Sequence, residues 1–390
     1  MRAGVFGELA GQDAVVVQLS RAAAGANMVL EGRRAEVGVM THAWLFTGPP
    51  GSGRSVAARA FAAALLCPNG GDGTCPSCHQ VQAGTHADLM LVRPEGLSYG
   101  VKQTRNLVLR AAGAPAGGRW QVVLFEDADR CTEQAANALL KAIEEPTERT
   151  VWLLCAPTVE DVLPTIRSRT RLQVLSTPSV PDVVDVLVRD GADPKVADYA
   201  ARVSLGHIGR ARGLARDADS RARRDEVVAI PARLKDLGAC MSAASQLNDV
   251  AKLEADAQSA KLDERERAEL DRAYGVVDRA RRPKEYAPAL RDMEKSQKTR
   301  AKRRLLDVVD RSLMDLVSVY RDALALQLRT GSAIVNTELK ADLEVLGGQP
   351  PETHVRRIDA IFAAREQMLE FNVPVLLVLE SLMVALQLRD

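Results

Sequence analysis

Gly48-Pro49-Pro50-Gly51-Ser52-Gly53-Arg54-Ser55 is the stretch that decides the fold. The apolar run Trp44-Leu45-Phe46 precedes it, and an Ala-rich run from Val56 to Leu66 follows. A buried strand, a Gly-rich turn and a helix in that order make a phosphate-binding loop. Backbone N–H groups of the turn and of the helix N-terminus surround the phosphates, and a Ser or Thr hydroxyl meets a metal ion. The spacing is G-x-x-x-x-G, a cation, then Ser. Gly48, Gly51, Ser52, Gly53, Arg54 and Ser55 are therefore candidate nucleotide-binding residues. Arg54 stands where the motif carries Lys. Its planar fork is larger and differently aimed than an ammonium, so weakened or misplaced γ-phosphate binding is expected. Whether ATP with Mg occupies the loop stays open at this point.

Working outward, Val122-Val123-Leu124-Phe125 is a second buried strand, and it ends in Glu126-Asp127. At such a strand end one carboxylate faces the metal and the next faces the attacking water. The usual order is Asp then Glu. Here it is reversed, which draws the second carboxylate back by one methylene. Small misplacements of this kind are costly in catalysis. Thr132 reads as a helix N-cap, and Ala136, Leu139, Leu140 and Ile143 share one face of the helix that follows. Val151 to Cys155 is a further apolar run. Short strands alternating with helices up to about residue 175 predict a parallel sheet covered on both sides.

Beyond residue 176 the strand-like runs stop. Residues 178 to 215 read as short helices bounded by Pro178 and Pro181. From about 220 the chain reads as helical throughout, with Leu305, Val309, Leu313, Leu316, Val317, Tyr320 and Leu324 at helical spacing. The expected class is α/β followed by all-α. The expected domains are a core over 1–175, a small helical domain over 176–218 and a helical domain over 219–390. The last carries a charged insertion at about 250–304, read either as a long exposed helix pair or as a partly disordered segment.

Of the 390 residues, 46% are hydrophobic, 26% charged and 4% aromatic, and the formal net charge is +1. A near-neutral chain is not a polyanion binder as a whole, so any nucleic-acid contact needs a local patch. So few aromatics argue against a base-stacking platform. The N-terminus, MRAGVFGELAGQ, has no signal-like apolar run, and a cytoplasmic protein is expected. The most apolar stretch, Val373 to Leu388, is interrupted by Glu380, Ser381 and Gln387 and is expected to be a buried helix, not a membrane span. His42 and His207 show no partner in sequence.

Three of the six cysteines cluster as Cys67-x7-Cys75-x2-Cys78. That pattern suits a structural zinc better than a disulfide framework. Tetrahedral zinc wants a fourth ligand, and Asp72, His79 and His86 are the candidates. A loop of unligated thiols is the alternative.

These features in this order resemble the clamp-loader branch of the AAA+ superfamily. The resemblance rests on Val5-Phe6-x-x-Leu9-x-Gly11-Gln12, on Gln82-Ala83-Gly84-Thr85-His86-Ala87-Asp88, on Ala135 through Pro146, and on Pro164-Thr165-Ile166-Arg167-Ser168-Arg169-Thr170, where Thr170 replaces the family's cysteine. It is continuous from about residue 5 to 215. After 220 it is weak, apart from Asn372 through Leu382, which looks like the family's last collar helix. The family's zinc site has four cysteines, and Asp72 stands where one of them would be, giving Cys67, Asp72, Cys75 and Cys78.

The resemblance implies an AAA+ P-loop sheet, a helical lid and a helical collar. It implies a place in a hetero-pentameric ring with gamma/tau and delta subunits, which acts with a sliding clamp on primed DNA in DNA polymerase III. Arg169 is implied to act in trans as an arginine finger on a neighbour's ATP. Gly209 falls where motor subunits carry a nucleotide-sensing lid arginine, with Arg210 adjacent. Arg54, the Glu126-Asp127 order and Gly209 together point to a subunit with little ATPase activity of its own and no polymerase chemistry. The alternatives are an active gamma/tau-type motor, or a helicase-loading or repair AAA+ protein outside the replisome.

Overall fold

A computed structural model describes residues 4–34, 36–94, 98–274, 276, 283, 286–371 and 373–387. The chain divides into two compact units, Met1–Arg216 and Asp217–Asp390.

The first unit is built on five parallel strands: β1 (Ala43–Thr47), β2 (Leu89–Val92), β3 (Gln121–Phe125), β4 (Thr150–Ala156) and β5 (Arg171–Val174). Their order is β2-β3-β4-β1-β5. Every residue of β1, β3 and β4 is buried, as expected for strands covered on both faces. Because side chains alternate along a strand, each strand feeds two cores. Trp44, Phe46, Val122 and Leu124 enter one, and Leu45, Val123, Phe125 and Trp152 enter the other.

Helices α1 (Asp13–Leu30), α2 (Arg54–Leu66) and α3 (Pro76–Ala83) supply the first core; α4 (Val101–Ala111) and α5 (Glu133–Glu144) supply the second. Ala57, Ala58, Ala60, Ala62, Ala63 and Ala64 are all buried, so the alanine run lets α2 lie close against the sheet. Thr132 caps α5 as expected, accepting from the Ala135 N–H at 3.2 Å. A short helix, α6 (Pro164–Arg167), precedes β5. Then follow α7 (Val180–Arg189), α8 (Pro194–Val203) and α9 (Ile208–Arg216).

The second unit is helical: α10 (Ala218–Val228), α11 (Leu237–Ala273), α12 (Tyr286–Gln327), α13 (Lys340–Leu346), α14 (Pro351–Leu369) and α15 (Val375–Leu386). Val309, Leu313, Leu316 and Tyr320 of α12 are core residues, as the helical spacing predicted. The charged stretch forms a helix pair, α11 against α12, wherever it is described; residues 275, 277–282 and 284–285 lie outside the described residues. Arg300 of α12 bonds Asp263 and Glu266 of α11 at 2.8 and 2.6 Å. The reading of Val373–Leu388 needs a correction. Val378, Leu379, Leu382, Met383 and Leu386 of α15 are buried, but Leu376 and Leu377 are 38% and 56% exposed, so the helix is buried on one face only. Asn372 and Leu388 lie outside the described residues. None of the described helices is long and apolar enough to cross a membrane.

His354 on α14 is fully buried, with the Leu346 backbone as its one weak hydrogen-bonding neighbour among the described residues. It lies beside Tyr320, while Arg357 stacks over the Tyr320 ring. Burial first, and the Arg357 charge second, hold the imidazole below its ordinary 6.5. The unfolded chain therefore takes a proton near pH 6.5 that the folded unit refuses. Stability contributed by neutral His354 is complete above that pH and is lost as pH falls below it. We expect the urea midpoint to drop between pH 7.5 and 5.5, and the drop to shrink in His354→Gln. An unchanged drop would remove His354 from the account.

Candidate nucleotide and metal sites

The phosphate loop leaves the end of β1 and turns into α2. Gly48 has φ 151°, and a Cβ there would lie 2.4 Å from the Leu175 carbonyl oxygen. Gly51 has φ 89°, and a Cβ there would lie 2.7 Å from the Cα of His207. Only glycine allows these two approaches. No side chain caps the N-terminus of α2. The Ser52 hydroxyl and Nη1 of Arg54 are buried without a hydrogen-bond partner. An uncapped helix start, an unpartnered hydroxyl and an unpartnered guanidinium nitrogen match what a bound phosphate would satisfy. They border a cavity of about 250 Å³ whose other walls are Glu8, Leu9, Ala10 and Gln12 from the opening segment and His207, Ile208, Gly209 and Arg212 from the start of α9.

Gln12 ties that wall together, donating to the Ser176 carbonyl at 2.6 Å. Arg212 reaches the cavity but is held by Asp190 at 2.7 Å and Glu8 at 3.6 Å. Gly209 lines the cavity; Arg210 does not. His207, which shows no partner in sequence, is a wall residue pressed on the loop. A lone histidine carries no signal that would have shown this. His42 also has a partner, since its Nε2 lies 2.8 Å from the Ile143 carbonyl at the end of α5.

At the end of β3, Glu126 is gripped by two guanidiniums. Arg93 lies 2.8 Å away and Arg59, on α2, lies 3.3 Å away; the Glu126 side chain is only 13% exposed. A carboxylate so paired has its oxygens engaged and its charge offset. Asp127 follows in a left-handed conformation, φ 52°, with Arg130 at 3.9 Å. Nearby Asp129 is pushed up by burial and by the Asp127 charge, against the pull of Arg130 and Arg54. The carboxylates expected to face metal and water are thus present at the strand end, but the first is occupied by arginines. Arg59 and Arg93 were missed because they come from α2 and from the residue after β2, far apart in sequence.

Arg169 follows α6. It is 39% exposed and pairs with Glu144, at the end of α5, at 2.6 Å. It also donates to the Thr165 carbonyl at 2.7 Å. It sits apart from this chain's own cavity lining.

The cysteine cluster closes as a unit. Sγ of Cys67, Cys75 and Cys78 and a carboxylate oxygen of Asp72 all lie within 4.8 Å of one another. Cys67 and Cys75 sulfurs are 3.5 Å apart, and Asp72 Oδ1 is 3.4 Å from Cys78 Sγ and 3.8 Å from Cys67 Sγ. Metal–ligand lengths of about 2.3 Å to sulfur and about 2.0 Å to oxygen give tetrahedral edges of about 3.8 and about 3.5 Å. The four atoms are spaced for such an ion. Backbone N–H groups of Asn69 and Cys78 donate to Cys67 and Cys75 sulfurs. Donors of this kind tune and orient metal thiolates. Burial pushes the Cys67 thiol up, but backbone donors led by Asp72 bring it net below its ordinary value. Burial pushes Cys78 up. The Asn69 side chain, then the Cys75 and Thr74 N–H groups, hold Asp72 below the usual carboxylate range. His79 and His86 stand outside the cluster.

Residues 29–179 match the model of the family described as "DNA polymerase III, delta subunit". Those residues belong to the DNA polymerase III clamp-loader family. A delta-prime subunit of Pseudomonas aeruginosa is 39% identical over 155 residues, 38% of this chain and 47% of that protein. The delta-prime subunit of Escherichia coli is 36% identical over 189 residues, 47% of this chain and 57% of that protein. A gamma/tau subunit of Mycobacterium tuberculosis is 36% identical over 174 residues, 43% of this chain and 28% of that protein. The matched stretches thus span from about a quarter to just over half of those relatives. The resemblance to delta-prime subunits rests on the family model and on the delta-prime relatives. A gamma-subunit-related protein of Thermotoga maritima aligns over 94% of this chain and 98% of its own, at 17% identity and a TM-score of 0.42. The AAA+ fold is read from the parallel strand order and the loop it carries.

Proposed function

We propose that the chain acts as the delta-prime subunit of a cytoplasmic clamp loader, a non-hydrolysing member of a ring with gamma/tau and delta subunits that loads a sliding clamp on primed DNA. In this reading residues 1–175 are the AAA+ core, 176–218 the lid and 219–390 the collar. The observation that carries the reading is the double capture of Glu126 by Arg59 and Arg93 beside a phosphate loop whose lysine is replaced. Gly48, Gly51, Ser52, Gly53, Arg54 and Ser55 would hold a nucleotide's phosphates through N–H groups, a hydroxyl and one guanidinium. With Glu126 engaged, a bound Mg would lack its first protein carboxylate, and Asp127 would be the remaining one. The isolated chain is therefore expected to be inert towards ATP and to bind nucleotide equally with Mg or with a chelator. Steady-state hydrolysis and calorimetric titration check both. Turnover by the isolated chain would favour a gamma/tau-type motor, which the well-formed phosphate loop keeps as the second reading. Failure of the chain to join gamma/tau and delta would point instead to an AAA+ role outside the replisome.

Zinc fits the Cys67-Asp72-Cys75-Cys78 cluster. Bound there it would cross-link the loop between α2 and α3, with no catalytic part. Purified protein is expected to carry one zinc per chain by elemental analysis. Asp72→Ala should lose it to a mild chelator, and Asp72→Cys should retain it longer than wild type. Equal zinc content in wild type and a Cys75→Ser/Cys78→Ser variant would overturn the site.

A further inference from the structure

The distal part of the α11–α12 pair carries a charge pattern that lies outside the lining of the nucleotide cavity. On α12, Arg291, Lys295, Lys298 and Lys302 recur at intervals of four, three and four residues. At about 100° per residue they fall within an arc of roughly 60°, and they run about 16 Å along the helix. Gln297, Arg300 and Arg304, which bond α11 through Glu266, Asp263 and Ser259, lie on roughly the opposite side of α12. The cationic stripe therefore faces away from the partner helix. Arg291, Lys295, Lys298 and Lys302 are all exposed.

Several acids near Arg291, Lys295 and Lys298 are engaged elsewhere. Asp263 and Glu266 bond Arg300, Glu294 pairs with Arg267 at 3.5 Å, and Glu254 pairs with Arg223 and Arg311. Asp292 and Glu294 flank the stripe, about 60° from Lys295 and about 40° from Lys298, and no acid falls within its arc. Among the described residues, no ion pair is made by Arg291, Lys295 or Lys298. A helix face that only keeps a protein soluble mixes both signs; this one does not. Nor does the stripe contain an apolar or aromatic side chain of the kind that anchors a protein partner. Evenly spaced point charges without an anchor suit a regular polyanion, whose binding is driven by release of condensed counterions.

We infer that this face of α12 is a sequence-independent contact for the phosphate backbone of duplex DNA. The contact goes beyond the ring-subunit reading and depends on neither nucleotide nor neighbouring subunits. Each cation that replaces a condensed counterion contributes about 0.9 to the slope of log affinity against log salt.

The test is fluorescence anisotropy of the full chain with a labelled duplex of about 30 base pairs, over a salt series starting near 50 mM. The variant is Arg291→Gln/Lys295→Gln/Lys298→Gln, with helicity checked by circular dichroism. A Lys102→Gln/Arg105→Gln variant on α4 serves as control. Wild type and control are expected to bind with equal slopes. The triple variant should bind at least tenfold more weakly at the lowest salt, with the slope reduced by about 2.7. Failure of wild type to bind at low salt, or a triple variant with an unchanged slope, overturns the inference. Polyglutamate binding as tight as the duplex would mark an acidic protein as the occupant and overturn it as well. Failure of the chain to assemble into a ring would touch the proposed function alone.

Discussion

Arg224→Ala is expected to destabilise the C-terminal unit by about 3–5 kcal/mol, the cost of leaving one member of a buried ion pair alone. The Arg224 side chain on α10 is 4% exposed and Asp315 on α12 is 6% exposed; Nε of Arg224 lies 3.1 Å from Oδ1 of Asp315. The same guanidinium donates to Asn336 Oδ1 at 2.5 Å. Asn336 in turn donates to Ser318 Oγ at 3.0 Å and to Asp322 Oδ2 at 2.8 Å. Fully buried Asp322 also accepts the backbone N–H groups of Val335 and Asn336 at 3.0 and 2.7 Å. One network thus fixes α10, α12 and the chain at residues 335–336. Removing Arg224 takes the ion-pair partner from buried Asp315 and leaves Asn336 short of a donor. Removing both charges with shape-compatible apolar residues, Arg224→Met/Asp315→Leu, should cost far less, since neither ion then has to be desolvated. Urea unfolding of the full chain reads both. If the single variant costs no more than the double, the network is not holding the unit, and apolar packing around Leu313 and Leu316 carries it instead.

That network was invisible in the sequence for a definite reason. Hydrophobic period identifies which face of α12 turns inward, and it placed Leu305, Val309, Leu313, Leu316 and Tyr320 correctly. A period says nothing about a polar residue at an inward position whose partners lie 91 and 112 residues away. The parallel sheet and its loop were legible because strand, Gly-rich turn and helix are contiguous, so local spacing sufficed. The Cys67-Asp72-Cys75-Cys78 cluster was legible to the same extent, since it closes within twelve residues. Spacing left Asp72, His79 and His86 open as the fourth ligand; the resemblance selected Asp72, and the structure brings its carboxylate to the three thiols. Glu126 shows the opposite case. Its position at a strand end could be read, yet its state depends on Arg59 and Arg93, which the fold alone brings together. The α12 stripe lies between. Its four-three-four spacing is in the sequence, but the engagement of nearby acids needed the ion pairs of Arg267 and Arg300.

Arg169→Ala is expected to slow ATP hydrolysis by the reconstituted ring, with primed DNA and clamp, by at least tenfold, within a range that reaches 10³ or more for arginine fingers. A guanidinium placed on the transferring phosphoryl group stabilises charge that develops only in the transition state. The geometry bears on how Arg169 would reach that position. In this chain it rests on Glu144 in a half-exposed pair, and exposed pairs are worth about 0.2–1 kcal/mol. Releasing Glu144 for a neighbour's γ-phosphate therefore costs little against the charge it meets. Glu144→Gln should then change the ring's rate by no more than about fivefold, the rate equivalent of 1 kcal/mol. Arg169→Lys should not restore it, because an ammonium lacks the planar fork. If Arg169→Ala leaves the ring's rate intact while the isolated chain hydrolyses ATP, Arg169 is a surface cation. The captured Glu126 would then have to open in solution, and the motor reading would replace the one proposed.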